Sequence, residues 1–258
     1  MGADPADASP LTFTRTAREA WRFYRLRFVQ TIVLFAAIYL LSIALGATLS
    51  TMGRGEVGQA IAGIVVTITL PIFGTVGTAV ACILMYDAST GRNTSVGGAF
   101  RSIRGSWKEV ISAALLTSIV VILGSTFLSL LVRTPLVLLI AFLIPALPIV
   151  MFGPPILIHG IILERLLLVH AWARTRALMA GNWGRMLAYW GLLALATGLV
   201  IVLANTIPPA LGAPGLVLAL LTVLLYGLVI PYVIAFILVG FLDLRAQHDR
   251  PAATQTPA

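Results

Sequence analysis

The sequence predicts an all-α polytopic membrane protein with six transmembrane helices arranged as three α-hairpin repeats. Hydrophobic residues make up 59% of the 258-residue chain and charged residues only 10%, whereas soluble globular domains carry about 25% charged residues. Six uncharged windows are each long enough to cross a bilayer, which takes about 20 residues. A basic segment precedes the first, third and fifth of these windows, which indicates a repeated unit of two spans.

The six windows alternate between short and long. The short ones are 28–49, 110–132 and 186–206, and the long ones are 57–86, 134–163 and 213–242. A long window of 30 residues would form a helix of about 45 Å, which exceeds a hydrocarbon core of about 30 Å. Each long window also contains proline, so we expect tilted helices with kinks at Pro71, Pro148 and Pro231.

The first repeat begins with a basic amphipathic helix. Ser9 and Pro10 form a start signal, with Ser9 as the cap and Pro10 in the first turn. From Phe13 to Phe28, aromatic and alanine residues recur at steps of three and four, and four arginines form a stripe on the opposite side. Such a helix lies in the headgroup layer, where each arginine contributes about 1 kcal/mol of attraction to an anionic leaflet.

Later segments resemble this basic helix. Ala20–Phe28 aligns with Ala99–Trp107 at an offset of 79 residues. A weaker third copy, Thr175–Trp183, follows the second at an offset of 76. Each repeat would thus contain a cytoplasmic-side amphipathic interfacial helix, a short span, a tight outer turn and a long span. The predicted organisation is a disordered N-terminus (1–10), one six-span membrane domain (11–245, with repeats at about 11–86, 95–163 and 168–242) and a disordered cytoplasmic tail (246–258).

The distribution of lysine and arginine predicts the orientation. Of the 17 lysines and arginines, all but Arg54 and Arg133 lie on one side of the predicted spans. Because cytoplasmic loops carry the excess of positive charge, both termini should be cytoplasmic. Arginine greatly outnumbers lysine, since Lys108 is the only lysine, and this composition points to a GC-rich bacterial source. We therefore expect a multi-pass protein of the bacterial cytoplasmic (inner) membrane.

The first set of candidate residues would contact lipid headgroups, because guanidinium groups on interfacial helices bind lipid phosphates. These candidates lie in the basic segments of the three repeats: Arg15, Arg18, Arg22, Arg25, Arg101, Arg104, Arg174 and Arg176.

The second set would line a path along a pseudo-threefold axis. Asp87, Glu164 and Asp243 each directly follow a long window, and His159 lies inside the most proline-rich one. The structural alternative for the acids is interface anchoring by ion pairs, because a carboxylate is unfavourable at a helix C-terminus. The neighbouring arginines that could pair with them are Arg92, Arg165 and Arg245. For His159 the alternative is an ordinary hydrogen-bonded histidine.

These observations favour a non-enzymatic protein that organises anionic membrane lipids or another membrane protein, without a cofactor. The windows contain no charged residue, the three histidines are scattered, and Cys82 is the only cysteine, so neither a catalytic group nor a metal cluster is predicted. The net charge of +8 follows from topology, so no nucleic-acid partner is expected. The alternative is a small transporter or channel along the pseudo-threefold axis. The oligomeric state stays open.

Two segments carry a family resemblance. The run Glu164–Trp172 (ERLLLVHAW), followed by Ala177–Trp183 (ALMAGNW), resembles the membrane domain of bacterial glycerophosphoryl diester phosphodiesterases, a domain that also occurs in stand-alone inner-membrane proteins. The resemblance covers about residues 10–245. In the enzymes a separate soluble barrel performs catalysis, and this chain ends soon after its last span. The resemblance therefore implies a membrane module without its own hydrolase, and no catalytic residue is carried over.

Overall fold

The computed structural model describes residues 12–52, 56–131, 156–189, 191–193, 195–196 and 215–249. The first three helices are α1 (Phe13–Leu26), α2 (Phe28–Met52) and α3 (Glu56–Ser89). The next are α4 (Val96–Ile103), a 3₁₀ turn (Arg104–Ser106) and α5 (Trp107–Leu131). The last four are α6 (Ile156–Leu163), α7 (Leu168–Met179), α8 (183–189) and α9 (Gly215–His248). All secondary structure in these residues is helical, as the sequence predicts.

By length and composition, three stretches of the described residues could cross a membrane: Phe28–Leu49, Pro71–Ser89 and Leu220–His248. Helices α6 and α7 could form a fourth span if taken together, but they bend by 118° across a short break. The described part of the chain thus holds three to four candidate spans, whereas the sequence predicts six. Windows 134–163 and 186–206 are described only in part, and their remaining residues lie outside the described chain.

The ends of two helices differ from the sequence prediction. Thr12 caps α1, where the sequence suggested Ser9, because Thr12 is extended and its hydroxyl oxygen accepts a hydrogen bond from the Arg15 N–H at 3.4 Å. Helix α9 continues to His248, so it extends into the segment 246–258 that the sequence predicts to be disordered. The first ten residues lie outside the described chain.

Helix α9 contributes more residues to the first core cluster than any other described helix. Its residues from Ile234 to Phe241 are all buried, which is expected of a helix that is apolar all round and surrounded by other helices. The core around them combines Tyr24 of α1, Phe35 of α2, Met85 of α3 and Met186 of α8. A second core cluster joins α3 and α6 to α4 and α5. The buried half of α9 therefore holds together helices that are far apart in sequence.

Two glycines allow close helix contacts. A Cβ added at Gly77 of α3 would lie 2.5 Å from the Ile38 Cδ1 of α2, and a Cβ at Gly227 of α9 would lie 3.5 Å from the Ile32 carbonyl of α2. Small residues at such positions let membrane helices approach closely, and the resulting van der Waals packing replaces the hydrophobic effect, which is weak between helices in lipid.

The outward faces of the long helices are apolar. Exposed aliphatic side chains occur on α2 (Val29, Val33, Leu40, Leu41, Ile43), on α5 (Leu115, Leu116, Ile119) and on α9 (Val217, Leu220, Leu221, Leu224). Large exposed apolar surfaces are rare on soluble monomers. These outward faces are the surface that a bilayer would cover.

Candidate functional site

The first element of the candidate site is the arginine face of α1. Thr16, Ala20 and Tyr24 of this helix are buried, because α1 packs along α9. Phe13 contacts the Phe236 ring at a centroid distance of 5.6 Å, and Tyr24 lies further along α9, where its hydroxyl donates to the Leu228 carbonyl at 3.0 Å. With one face against α9, the four predicted headgroup arginines stay exposed: Arg15, Arg18, Arg22 and Arg25.

The fifth arginine of this segment has a different role. Arg27 lies between α1 and α2 and is only partly exposed. Its Nη2 donates to the Asn93 side-chain oxygen at 2.8 Å and to the Arg92 carbonyl at 3.3 Å. Arg27 thus ties the α1–α2 junction to the α3–α4 loop. The periodicity of the sequence leaves Arg27 off the arginine stripe of α1, but it does not predict the loop that Arg27 contacts.

The second basic helix is α4. Ser95 caps it by accepting a hydrogen bond from the Gly98 N–H at 3.1 Å, and Ala99 and Ile103 are buried. The two predicted headgroup residues of this segment, Arg101 and Arg104, are exposed. The Arg101 Nε donates to the Gly97 carbonyl of its own helix at 3.4 Å, and the exposed positions of both arginines let them reach a ligand or lipid surface outside the fold.

The two predicted residues of α7 differ in environment. Arg176 is exposed, but the Arg174 side chain is only 23% exposed and lies between two carboxylates. Its Nη2 donates to both Asp249 oxygens at 2.7 and 2.8 Å, and its Nε donates to Glu164 at 3.1 Å. These hydrogen bonds raise the pKa of Arg174 above its usual value and lower that of Asp249. Arg174 joins elements of the fold, so we do not include it in the lipid-contacting set proposed below.

Each of the three acids that follow a long window lies in an ion pair. Asp87 lies 3.9 Å from the Arg92 Nη1, Glu164 pairs with Arg245 at 3.2 Å, and Asp243 pairs with Arg185 at 3.2 Å. Of the neighbouring arginines named from the sequence, Arg92 pairs as expected and Arg245 pairs with a different acid. Arg165 forms no ion pair among the described residues.

The remaining predicted residue, His159, is fully buried in α6, and its ring lies 5.9 Å from the Phe241 ring. A separate cavity of about 470 Å³ lies between α2, α3, α5, α6 and α9. Its wall is formed by aliphatic and aromatic side chains together with Thr75, Thr78 and Thr117. The hydroxyls of Thr78 and Thr117 donate to carbonyls of their own helices. Among the described residues, no acidic or basic side chain lines this cavity.

Four tryptophans accompany the exposed arginines. Trp21 of α1, Trp107 at the start of α5, Trp172 of α7 and Trp183 of α8 are each between 41% and 49% exposed. Tryptophan is enriched at membrane–water interfaces because its ring is amphipathic. The sequence places Trp21 in the apolar stripe of the first basic helix, Trp107 and Trp183 in the aligned segments and Trp172 in the run that carries the family resemblance.

No group of three or more potential metal ligands is found in the described part of the chain. Comparison of the chain with family models, with curated proteins and with solved structures finds no match.

Proposed function

We propose that this chain is a non-enzymatic integral membrane protein of a bacterial cytoplasmic membrane that organises anionic lipids at the cytoplasmic surface, either directly or for a membrane-protein partner. The observation that carries the proposal is the two-sided character of α1. One side of this helix packs against α9 through Ala20 and Tyr24, and the other presents four exposed arginines.

The charges on that face are available to an external ligand. Within the described residues, the ion pair made by these four arginines is that of Arg22 with Glu19, at 3.5 Å, and the Arg22 side chain is 72% exposed. An exposed pair of this kind contributes at most about 1 kcal/mol. The arginines would therefore lose little contact with the protein when they bind lipid phosphate. Each contributes about 1 kcal/mol of attraction near an anionic leaflet.

The same combination recurs on the other basic helices, which supports a membrane-facing surface. Arg101 and Arg104 lie near the exposed Trp107, and Arg176 lies near the exposed Trp172. We propose that these arginines and tryptophans contact the headgroup layer together with α1.

This function requires a topology that we also propose. The chain crosses the membrane six times as three hairpin repeats, both termini are cytoplasmic, and α1, α4 and α7 are the interfacial helices. The 118° bend between α6 and α7 supports this assignment, since α7 does not continue the direction of α6. We also propose that the chain is related to the membrane domain of glycerophosphoryl diester phosphodiesterases.

The transporter alternative has less support. Asp87, Glu164 and Asp243 are each engaged by arginine, and the cavity between the long helices is lined by aliphatic, aromatic and threonine side chains. Polar pathways through membranes usually contain ionisable residues that face a water-filled cavity. We therefore favour lipid organisation.

The decisive experiment removes the positive charges from the exposed face of α1 and keeps the fold intact. Glutamine replaces Arg15, Arg18, Arg22 and Arg25 in the full chain. The variant is exposed to a mixture of phosphatidylglycerol and phosphatidylcholine and is then purified in mild detergent. Mass spectrometry then counts the lipids retained per protein. We expect phosphatidylglycerol to fall several-fold and phosphatidylcholine to stay constant, because only the anionic lipid depends on the charge.

The matched control replaces the same four arginines by lysine, which keeps the charge. It should retain most of the phosphatidylglycerol. Equal phosphatidylglycerol retention by the glutamine variant and the wild type would refute the proposed role of α1.

A further inference from the structure

A small pocket lies where three segments of the fold meet. It has a volume of about 220 Å³ and opens between the last two turns of α3, the junction of α4 and α5, and the junction of α6 and α7. Its polar residues are Tyr86, Asp87, Arg92, Ser102, Ser106 and Arg165. This pocket does not contain any of the arginines that we assign to the lipid surface.

The pocket carries a net positive charge. Among the described residues, two arginines, Arg92 and Arg165, and one acid, Asp87, line it. Asp87 is already engaged, since one of its oxygens accepts from the Thr94 hydroxyl at 2.5 Å and the other lies 3.9 Å from Arg92. The pocket therefore has two positively charged side chains and one carboxylate that already contacts Thr94 and Arg92. This balance of charge disfavours a metal cation as the ligand and favours an anion.

Hydrogen-bond donors remain available around these charges. Arg165 makes no ion pair within the described chain, and Arg92 holds its carboxylate only loosely. The hydroxyls of Tyr86 and Ser106 also make no hydrogen bond to the residues described. Guanidinium groups bind phosphate oxygens through short charge-assisted hydrogen bonds, often in pairs.

Arg165 is held in an unusual backbone conformation. Its φ is +53°, and it is the one non-glycine residue with positive φ among the residues described. Glycine commonly occupies the left-handed position that follows a helix C-terminus, because a side chain there is strained. Arg165 lines the pocket and is exposed, so an arginine is present here despite a backbone strain that glycine would avoid.

The volume of the pocket and its apolar residues limit the kind of ligand that it can bind. Pockets for drug-sized ligands have volumes of about 300 to 1,000 Å³, so a pocket of about 220 Å³ suits a group of few atoms. Ile83, Ile162 and Leu163 form an apolar wall, against which the carbon atoms next to a charged group could pack.

We propose that this pocket is a binding site for a phosphate group, held by Arg92 and Arg165 with hydroxyl donors from Ser106 and Tyr86. The phosphate belongs either to a lipid headgroup or to a free phosphate ion. The site goes beyond the lipid surface proposed above, because it uses other residues and selects for phosphate.

Two probes distinguish the sources. In the first, inorganic phosphate is titrated into the purified full chain in neutral detergent, with sodium chloride at matched ionic strength as the reference, and the unfolding temperature is followed. A ligand that binds only the folded state raises this temperature. In the second, native mass spectrometry compares the retention of phosphatidic acid with that of phosphatidylcholine. A phosphate-dependent shift identifies the free ion, and selective retention of phosphatidic acid identifies the headgroup.

The test variant is Arg165→Gly, which removes the guanidinium and relieves the backbone strain. Without ligand it should unfold at or above the wild-type temperature, so loss of binding cannot be attributed to misfolding. Its apparent affinity for the effective probe should fall about tenfold or more, the loss expected for one charge-assisted hydrogen bond. Arg92→Gln should show the same loss.

Lys108→Gln is the matched control, because it removes one exposed positive charge two residues from Ser106 but outside the pocket. It should bind the probes as the wild type does. The proposal is overturned if the wild type responds to neither probe, or if Arg165→Gly and Arg92→Gln bind as tightly as Lys108→Gln. The phosphate titration contains no lipid, so its outcome is independent of the lipid-surface proposal.

Discussion

The Tyr24 hydroxyl donates a hydrogen bond of 3.0 Å to the Leu228 carbonyl, which joins the first helix to the last across 204 residues. The acceptor lies inside α9, three residues before Pro231. In return, the Tyr232 hydroxyl of α9 donates to the Ala17 carbonyl of α1 at 3.4 Å. The two tyrosines dock α1 on α9, and this docking determines which side of α1 carries the exposed arginines.

The first prediction concerns this hydrogen bond. Tyr24→Phe should lower the free energy of unfolding by about 1 kcal/mol, the usual net contribution of a hydrogen bond in a partly buried site. Thermal unfolding of the purified chain measures the change. Tyr232→Phe provides the comparison. It should lower the free energy of unfolding by less, because the hydrogen bond of Tyr232 is longer. If the two variants lost equal stability, or neither lost any, these bonds would not be what docks α1.

A second prediction concerns the contact between α2 and α3. Gly77→Val should destabilise the fold by about 1 to 3 kcal/mol, the usual cost of overpacking, because its added atoms would clash with Ile38 and the Phe35 ring. Gly74→Ala, one turn earlier, meets no atom within 4 Å. It should be neutral or stabilise the helix by up to about 1 kcal/mol. Gly77→Val should therefore lower the unfolding temperature, and Gly74→Ala should leave it unchanged or raise it.

A third prediction is a pH dependence at the end of α9. Its hydrogen bonds with Arg174 lower the pKa of Asp249 below 3.8. A depressed carboxyl pKa means that the stabilisation is fully present above the unfolded value and is lost as the pH falls through the folded value. Amide hydrogen exchange at Gln247 and His248 should therefore rise once the pH falls below about 3.8, after correction for intrinsic exchange rates.

The control for this effect is Asp249→Asn. It should show raised exchange at neutral pH and no further step on acidification. The energy is small, at most about 1 kcal/mol, because the pair is partly exposed and screened by solvent. If wild type and variant show the same exchange across this range, Asp249 does not hold the end of α9.

A fourth prediction tests the proposed topology. Reporter fusions at Gly55, Arg133 and Ala210 should report a periplasmic location, and a fusion at Gly97 a cytoplasmic one, because the basic segments stay inside. Alkaline phosphatase and green fluorescent protein provide complementary readouts. A periplasmic report at Gly97 would refute both the hairpin repeats and the interfacial role of α4.

The sequence predicts features that depend on local composition. It does not predict features that depend on contact with a residue far away in the chain. The window 57–86 became α3 (Glu56–Ser89) because an uncharged apolar run of this length is far longer than a strand and favours a helix. Arg174 and Arg176 look alike in the sequence, but only Arg174 lies near Asp249 and Glu164. Arg27 likewise follows Arg25 closely and bonds Asn93, 66 residues away. Such pairings depend on distances that no local pattern contains.

The sequence by itself determined the all-helical class, the apolar stretches able to span a membrane and the basic stripe of α1, because composition and periodicity are local properties. Only the tertiary structure decided which arginines are exposed and which join elements, and that Arg92 and Arg165 share one pocket. The physical reason is that an ion pair or a pocket needs groups a few ångströms apart. For Asp87 and Arg165, α3 and α6 must first pack side by side to bring them to one pocket.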